Sequence, residues 1–220
     1  MGRPRGDYIP ALKYPWLTSA YDPLLRWILR EAAFKRRLVE QARIEPGQRV
    51  LDLGCGTATL TLLIKSPQPE ATVVGLDADP RALALAGVKA ARAGLDITLD
   101  QGMADELVYV DHCFDRVLSS LLFHHLTLEK KMQALREAFR VLRPGGELHV
   151  ADWGRPQNAL LRVAFLLVQI LDGFETTAES VRGLLPELIN QAGFEGVAEA
   201  ARYTTPFGTL CLYRGRRPRR

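Results

Sequence analysis

Arg49-Val50-Leu51-Asp52-Leu53-Gly54-Cys55-Gly56-Thr57 passes from a short apolar run directly into a pair of glycines. The run from Arg49 to Leu53 reads as a buried strand. Thr57 to Lys65, stopped near Pro67, reads as the helix that follows it. Glycines at such a turn accept torsions closed to other residues and let the main chain approach a ligand. The turn also aims a helix N-terminus at whatever is bound. In an open α/β sheet this crevice, at the carboxyl ends of the strands, is where ligands sit. A G-x-G pair alone says only that much. The slot for the third glycine of a dinucleotide fingerprint holds Thr59, so that pattern is broken. Asp52, two residues before Gly54, would repel a pyrophosphate and suits a cationic ligand instead.

Beyond the loop, short apolar runs alternate with helical patterns, which predicts βαβ units and a mostly parallel sheet. Thr72 to Leu76 is a second strand, rich in β-branched residues. It ends in Gly75-Leu76-Asp77, where an acid can bond both hydroxyls of a ribose. Capping of the next helix is the structural alternative, and it fits Asp79 better than Asp77. Pro80 opens a helix over Arg81 to Ala93, and Gly94 stops it. Leu95 to Leu99 and Phe114 to Ser119 are the third and fourth strands. Leu128 to Leu142 is an amphipathic helix with Met132, Leu135, Phe139 and Leu142 on one face. Arg143-Pro144-Gly145-Gly146 breaks it before a fifth strand over Glu147 to Ala151. Ala178 to Ala192, closed by Gly193, is a further helix. Val197 to Tyr203 and Thr209 to Tyr213 form a closing hairpin around Thr205-Pro206-Phe207-Gly208.

A chain of 220 residues, 47% hydrophobic and 25% charged, can bury one core of ordinary size. No stretch approaches the ~20 apolar residues that span a bilayer. Met1 to Gly6 lacks the apolar core of a secretory signal, and Met1-Gly2 fits a myristoylation motif poorly, so a cytoplasmic protein is expected. Cys55, Cys113 and Cys211 show no C-x-x-C spacing and read as core residues rather than disulfides or a zinc site. The net charge of +4 owes five arginines to Arg214–Arg220; subtracting five leaves −1. That tail reads as solvated and disordered. With no aromatic residues interleaved, it carries no strong nucleic-acid signal.

Two segments fall outside the alternation. Residues 8–45 hold Tyr14, Trp16, Tyr21 and Trp27, followed by a basic helix from about Leu24 to Ala42. Residues 158–171 are apolar almost all round, and such a helix must be covered. A lid over a greasy substrate, a homodimer interface and a peripheral membrane contact are all open to it.

Val50 to Thr57, Gly75-Leu76-Asp77-Ala78-Asp79, Phe114-Asp115-Arg116-Val117 and Val141 to Leu148 occur in the order and spacing of the class I S-adenosylmethionine (SAM)-dependent methyltransferases. The chain most resembles the group that includes the ubiquinone/menaquinone C-methyltransferases, over about residues 48–152. The resemblance implies a Rossmann-like, doubly wound α/β sheet of seven strands, the last antiparallel, with helices on both faces. It divides the chain into an N-terminal helical lid segment (1–45), the methyltransferase domain (46–213, with a helical insertion at about 153–180) and the basic tail (214–220). The implied cofactor is SAM, whose ammonium and sulfonium suit Asp52.

Gly54, Cys55 and Gly56 would meet its methionine part, while Asp77 and Ala78 would lie at the ribose. The adenine would rest on Gly102 to Leu107. There Met103 stands where the family commonly has Asp, Ala104 offers its N–H and Asp105 the acid. Ser119, at the end of the fourth strand, completes the implied cofactor set.

Ser119-Ser120-Leu121-Leu122-Phe123-His124-His125-Leu126 then places His124 and His125 near the transfer site. Either could act as a general base, bind substrate or bond the backbone. Adjacent histidines seldom share an ion and no carboxylate or Cys neighbours them, so no metal is expected. In-line methyl transfer asks chiefly for alignment and exclusion of water. Tyr14, Trp16, Tyr21 and Trp153 are candidate pocket walls, with Trp27, Phe165 and Phe174, for a small, hydrophobic acceptor. Tyr21-Asp22 is similar to the quinone enzymes' N-terminal signature. Leu24 to Arg30 departs from it, and Asp152 replaces a Glu; both departures count against a quinone. Two rivals are a nucleic-acid methyltransferase using the tail and a SAM-binding regulatory module without catalysis.

Overall fold

Val50, Leu51 and Leu53 are all buried although they point to alternate sides, as a central strand covered on both faces requires. In the computed structural model, which describes residues 31–219, that strand is β1 (Arg49–Leu53). The other strands are β2 (Thr72–Asp77), β3 (Thr98–Gln101), β4 (Phe114–Ser120), β5 (Leu142–Trp153), β6 (Glu195–Thr205) and β7 (Gly208–Arg216). They form one seven-stranded sheet in the order β3-β2-β1-β4-β5-β7-β6. Strands β1 to β5 run parallel, and β7 is antiparallel to both β5 and β6. The expected Rossmann-like architecture is what the chain adopts. Strand order reverses between β1 and β4, so the crevice for a ligand opens above their carboxyl ends.

Helices α1 (Glu31–Ala42), α2 (Thr59–Lys65) and α5 (Ala159–Asp172) cover one face. There Phe34, Leu38, Ile64, Phe165 and Val168 pack against Val50, Val73 and Leu118. The opposite face is covered by α4 (Leu128–Val141) and α7 (Leu185–Gln191), with Leu135, Ala138 and Ile189 against Leu51, Val74 and Val117. Between them in sequence lie α3 (Pro80–Ala93) and the short α6 (Ala178–Arg182). The α3 termini are built as read: Asp79 accepts from the Arg81 N–H, and Gly94 closes the helix with φ 62°.

Several boundaries differ from the sequence reading. The third strand is Thr98–Gln101 rather than Leu95 to Leu99, a half-exposed edge with little apolar pattern to mark it. The amphipathic helix ends at Val141 as the following residues require, but Arg143 to Gly146 belong to the fifth strand instead of preceding it: β5 begins at Leu142 and bulges, its partner along β4 jumping from Phe114↔Leu142 to Arg116↔Glu147. The predicted helix over Ala178 to Ala192 is two, split at Gly183 with φ 73° and restarted near Pro186.

The basic tail is also corrected. Arg214–Arg216 belong to β7, and Arg217 donates to the carbonyls of Phe139, Arg140 and Leu142, with its guanidinium over the Phe139 ring. Those main-chain acceptors give the arginines partners that composition could not reveal. Likewise α1 buries Phe34 and Leu38 in the sheet core, so it is a layer of the domain rather than part of a lid. Tyr14, Trp16, Tyr21 and Trp27 lie outside the described residues.

Candidate active site

The carboxyl end of β1 turns through Gly54 (φ 75°) and Gly56 (φ 52°), torsions that favour glycine. A Cβ on Gly54 would lie 2.9 Å from Leu122, so the loop and the segment after β4 are fitted to each other. The Gly54 and Cys55 N–H groups donate to the Leu76 carbonyl at 2.9 and 3.0 Å. The Gly56 N–H donates to Asp77 Oδ2 at 2.7 Å, and the Asp79 N–H to Asp77 Oδ1 at 2.9 Å. Burial raises the Asp77 pKa, and those two donors oppose the rise. Each oxygen keeps a further lone pair for a hydroxyl donor. Ala78 follows Asp77 directly, its carbonyl accepting from Gln101 Nε2 at 3.3 Å. Cys55 is a buried filler beside Gly75, and burial pushes its thiol pKa upward.

Asp52 lies wholly inside, on the α1–α2 side of β1. Thr61 Oγ1 donates to its Oδ2 at 2.6 Å, while Oδ1 is buried with no partner. Desolvation pushes its pKa up to about 6, against the opposing Thr61 bond and the charge of Lys35. A buried carboxylate oxygen without a donor is uncommon and marks room for a cation. Asp105 repeats the pattern: Oδ1 is buried without a partner, and Oδ2 stands 3.7 Å from Lys130 Nζ. Met103 bridges to Glu106 beside it, and Ala104 is buried. The Ser119 hydroxyl instead donates to the Leu53 carbonyl at 2.9 Å, so that side chain is committed to holding β4 on β1. Its neighbour Ser120, which sequence reasoning passed over, has a buried hydroxyl with no partner.

After β4 the chain reverses at Leu121, whose φ of 59° is strained for a bulky residue, and enters a 3-10 turn at Phe123–His125. Asp152, at the end of β5, holds that turn. Its Oδ2 accepts from the Phe123 N–H at 2.8 Å, and its Oδ1 from the Trp153 N–H at 2.7 Å. The same Oδ1 lies 2.8 Å from His124 Nδ1. A carboxylate only accepts, so Nδ1 carries the hydrogen and Nε2 faces away. Burial alone would lower the His124 pKa, but the charge and hydrogen bond of Asp152, with Asp172 behind them, hold it above its usual value. Burial, which would raise the Asp152 pKa, is likewise outweighed by His124. Burial and then the charge of His124 push His125 well below the usual imidazole range. Asp172, at the end of α5, stands 3.6 Å from His124 Nε2 and 3.8 Å from His125 Nδ1.

Residues 50–146 match a family profile described as a methyltransferase domain. An uncharacterized methyltransferase of Synechocystis sp. is 34% identical over 183 residues, 83% of this chain and 84% of that protein. A ubiquinone/menaquinone biosynthesis C-methyltransferase of Stenotrophomonas maltophilia is 33% identical over 184 residues, 74% of this chain and 72% of that protein. The chain belongs to the class I SAM-dependent methyltransferases. Among solved structures, the SAM-dependent methyltransferase SibL in its apo form superposes with a TM-score of 0.73 at 23% identity. That match, which covers 94% of this chain and 60% of SibL, speaks to fold alone.

SAM is therefore the methyltransferase's cofactor, and the residues at the crevice fit it. Two buried carboxylate oxygens, on Asp52 and Asp105, lack donors, and the glycine turn leaves the main chain open to close approach. On the acceptor side the expectation that no carboxylate neighbours the histidines is corrected. Asp152 arrives from β5 because the Ser120↔Ala151 register sets it beside the turn, and Asp172 arrives from α5. The register was the one signal that could have placed Asp152; Asp172 had none. Trp153 is almost fully buried, its ring edge-on to both His124 and Phe165. It backs the histidine pair from the core rather than standing as an open pocket wall. No helix among the described residues is long and apolar enough to cross a membrane.

Proposed function

We propose that this methyltransferase alkylates a small, hydrophobic acceptor carrying an ionisable hydrogen, held at the carboxyl ends of β4 and β5. One observation carries the reading: His124 and Asp152, both buried, stand with the partly buried His125 and Asp172 in one cluster after β4, and Leu122 of the same turn lies directly against the glycine loop. A site built for methyl transfer alone needs no such cluster, because alignment and dryness suffice. A site that must also take a proton from its acceptor does.

Asp52 would meet the ammonium of the cofactor, the Gly54–Gly56 main chain its methionine part, and Asp77 the ribose hydroxyls. Asp105, Ala104 and Met103 would take the adenine, with Ser120 rather than Ser119 offering the hydroxyl at the end of β4. When bound, SAM supplies a methyl group on a positively charged sulfur. His124, set by Asp152, and His125 manage the acceptor's proton. The mean surroundings are apolar: Trp153 and Phe165 pack behind His124, and Leu122 lies between the two halves.

The relative in S. maltophilia, a ubiquinone/menaquinone biosynthesis C-methyltransferase, supports a quinone-precursor class of acceptor, against the departures at Leu24 to Arg30 and Asp152. The exposed apolar face of α5 (Leu160, Val163, Leu167 and Ile170) is where a membrane surface or a second copy would lie in this reading. A nucleic-acid substrate is the less supported reading, since Arg216 pairs with Glu195 and Arg217 with main-chain carbonyls. The test is transfer of radiolabelled methyl from SAM into a host extract partitioned between solvent and water. Label in the organic phase is expected; label confined to RNA, DNA or protein would overturn the acceptor class.

A further inference from the structure

We propose that His124 Nε2, His125 Nδ1 and a carboxylate oxygen of Asp172 form a binding site for one divalent transition-metal ion of the zinc, cobalt or iron type. Among the described residues, this is the group of metal-ligating side chains whose donor atoms all lie within 4.8 Å of one another.

The distances favour an ion over direct bonding. Asp172 stands 3.6 and 3.8 Å from the two ring nitrogens, beyond hydrogen-bond range for both. Donors about 2.1 Å from a tetrahedral ion lie roughly 3.4 Å apart; the two Asp172 contacts are within a few tenths of an ångström of that, and the widest pair of the set, at up to 4.8 Å, closes by about an ångström through side-chain rotation. The 3-10 turn lets adjacent histidines converge, with ring centroids 3.9 Å apart.

A second observation is independent of those distances. His124 gives its Nδ1 hydrogen to Asp152, which is itself held in place by the Phe123 and Trp153 N–H groups. A histidine whose outer nitrogen is fixed by a carboxylate is oriented to ligate through the other nitrogen. Two imidazoles and one carboxylate suit a first-row transition ion, whereas magnesium and calcium prefer all-oxygen sets. Three protein ligands also leave a fourth tetrahedral position open. A phenolic or enolic oxygen of the acceptor can fill it as its anion, the proton leaving to solvent, so that with the ion bound His124 and His125 act on that proton through the ion and not as bases. That last step rests on the acceptor reading above; ion binding does not.

The experiment titrates tag-free, chelator-treated protein with Co(II), followed by visible absorption and calorimetry. One equivalent is expected to bind with the ligand-field bands of mixed nitrogen and oxygen coordination. His125→Ala and Asp172→Asn should each weaken binding at least tenfold, with circular dichroism and SAM affinity unchanged. No stoichiometric cobalt in the wild type, or equal binding in both variants, overturns the metal site. If Co(II) binds as expected but no small acceptor is methylated, the acceptor reading fails and the metal site stands.

Discussion

The two sides of the crevice are built by different means. The side proposed for the cofactor is a short circuit of main-chain N–H groups: Gly54, Cys55 and Gly56 close onto Leu76 and Asp77 within two neighbouring strands. The side proposed for the acceptor is a circuit of side chains gathered from β5, the turn after β4 and the end of α5. The first side is sensitive to any added Cβ, and the second to any change of a polar atom. They touch at Leu122, which packs against Gly54 two residues before His124.

Gly54→Val attacks the seam. It forces a positive φ on a β-branched residue and drives its Cβ into Leu122. SAM affinity should fall by a hundredfold or more, and methyl transfer should fall with it. An unchanged SAM affinity would show that the two sides are not fitted together there.

Asp152→Asn separates the sides. Either orientation of the amide turns an NH2 toward the N–H of Phe123 or Trp153, at a stability cost of about 1–3 kcal/mol. Turnover should drop about 10- to 100-fold through loss of histidine orientation, while SAM affinity stays within twofold in calorimetry. A parallel loss of SAM affinity would mean that the acceptor circuit also shapes the cofactor side.

Asp52 makes the cofactor side sensitive to pH. Its folded pKa of about 6 lies above the ordinary 3.8, because burial disfavours the charged form; the neutral carboxyl predominates only below about pH 6. Its contribution to stability is full below about pH 4 and is lost as pH rises through about 6. The elevation corresponds to about 3 kcal/mol at most, and Asp52→Asn should recover part of it at pH 7 in denaturant unfolding. Binding of a cationic cofactor needs the ionised form, so SAM affinity should rise roughly tenfold from pH 5 to pH 7. A wild-type profile as flat as that of Asp52→Asn would remove Asp52 from the cofactor contacts.

The same contrast explains what could be read from the chain. The β1–loop–α2 unit, the β2 acid and the α3 caps depend on residues within one turn of each other, and they stand where pattern placed them. Pro144-Gly145-Gly146 reads as a break because local signals do not distinguish a turn from a bulge that β4 holds in register. Arg214 to Arg217 read as solvated because their partners are main-chain carbonyls and an antiparallel neighbour. His124 and His125 were legible as candidates, yet their chemistry was not. It depends on Asp172, which only the packing of α5 brings to them.

Titration calorimetry of SAM against the wild type and Asp77→Ala tests the central claim most directly. Asp77 joins the loop to β2 through Gly56, and the proposed function gives its remaining lone pairs to the ribose. One SAM per wild-type chain is predicted, with affinity at least a hundredfold weaker in Asp77→Ala. No binding by the wild type, or equal binding by both proteins, would contradict the account.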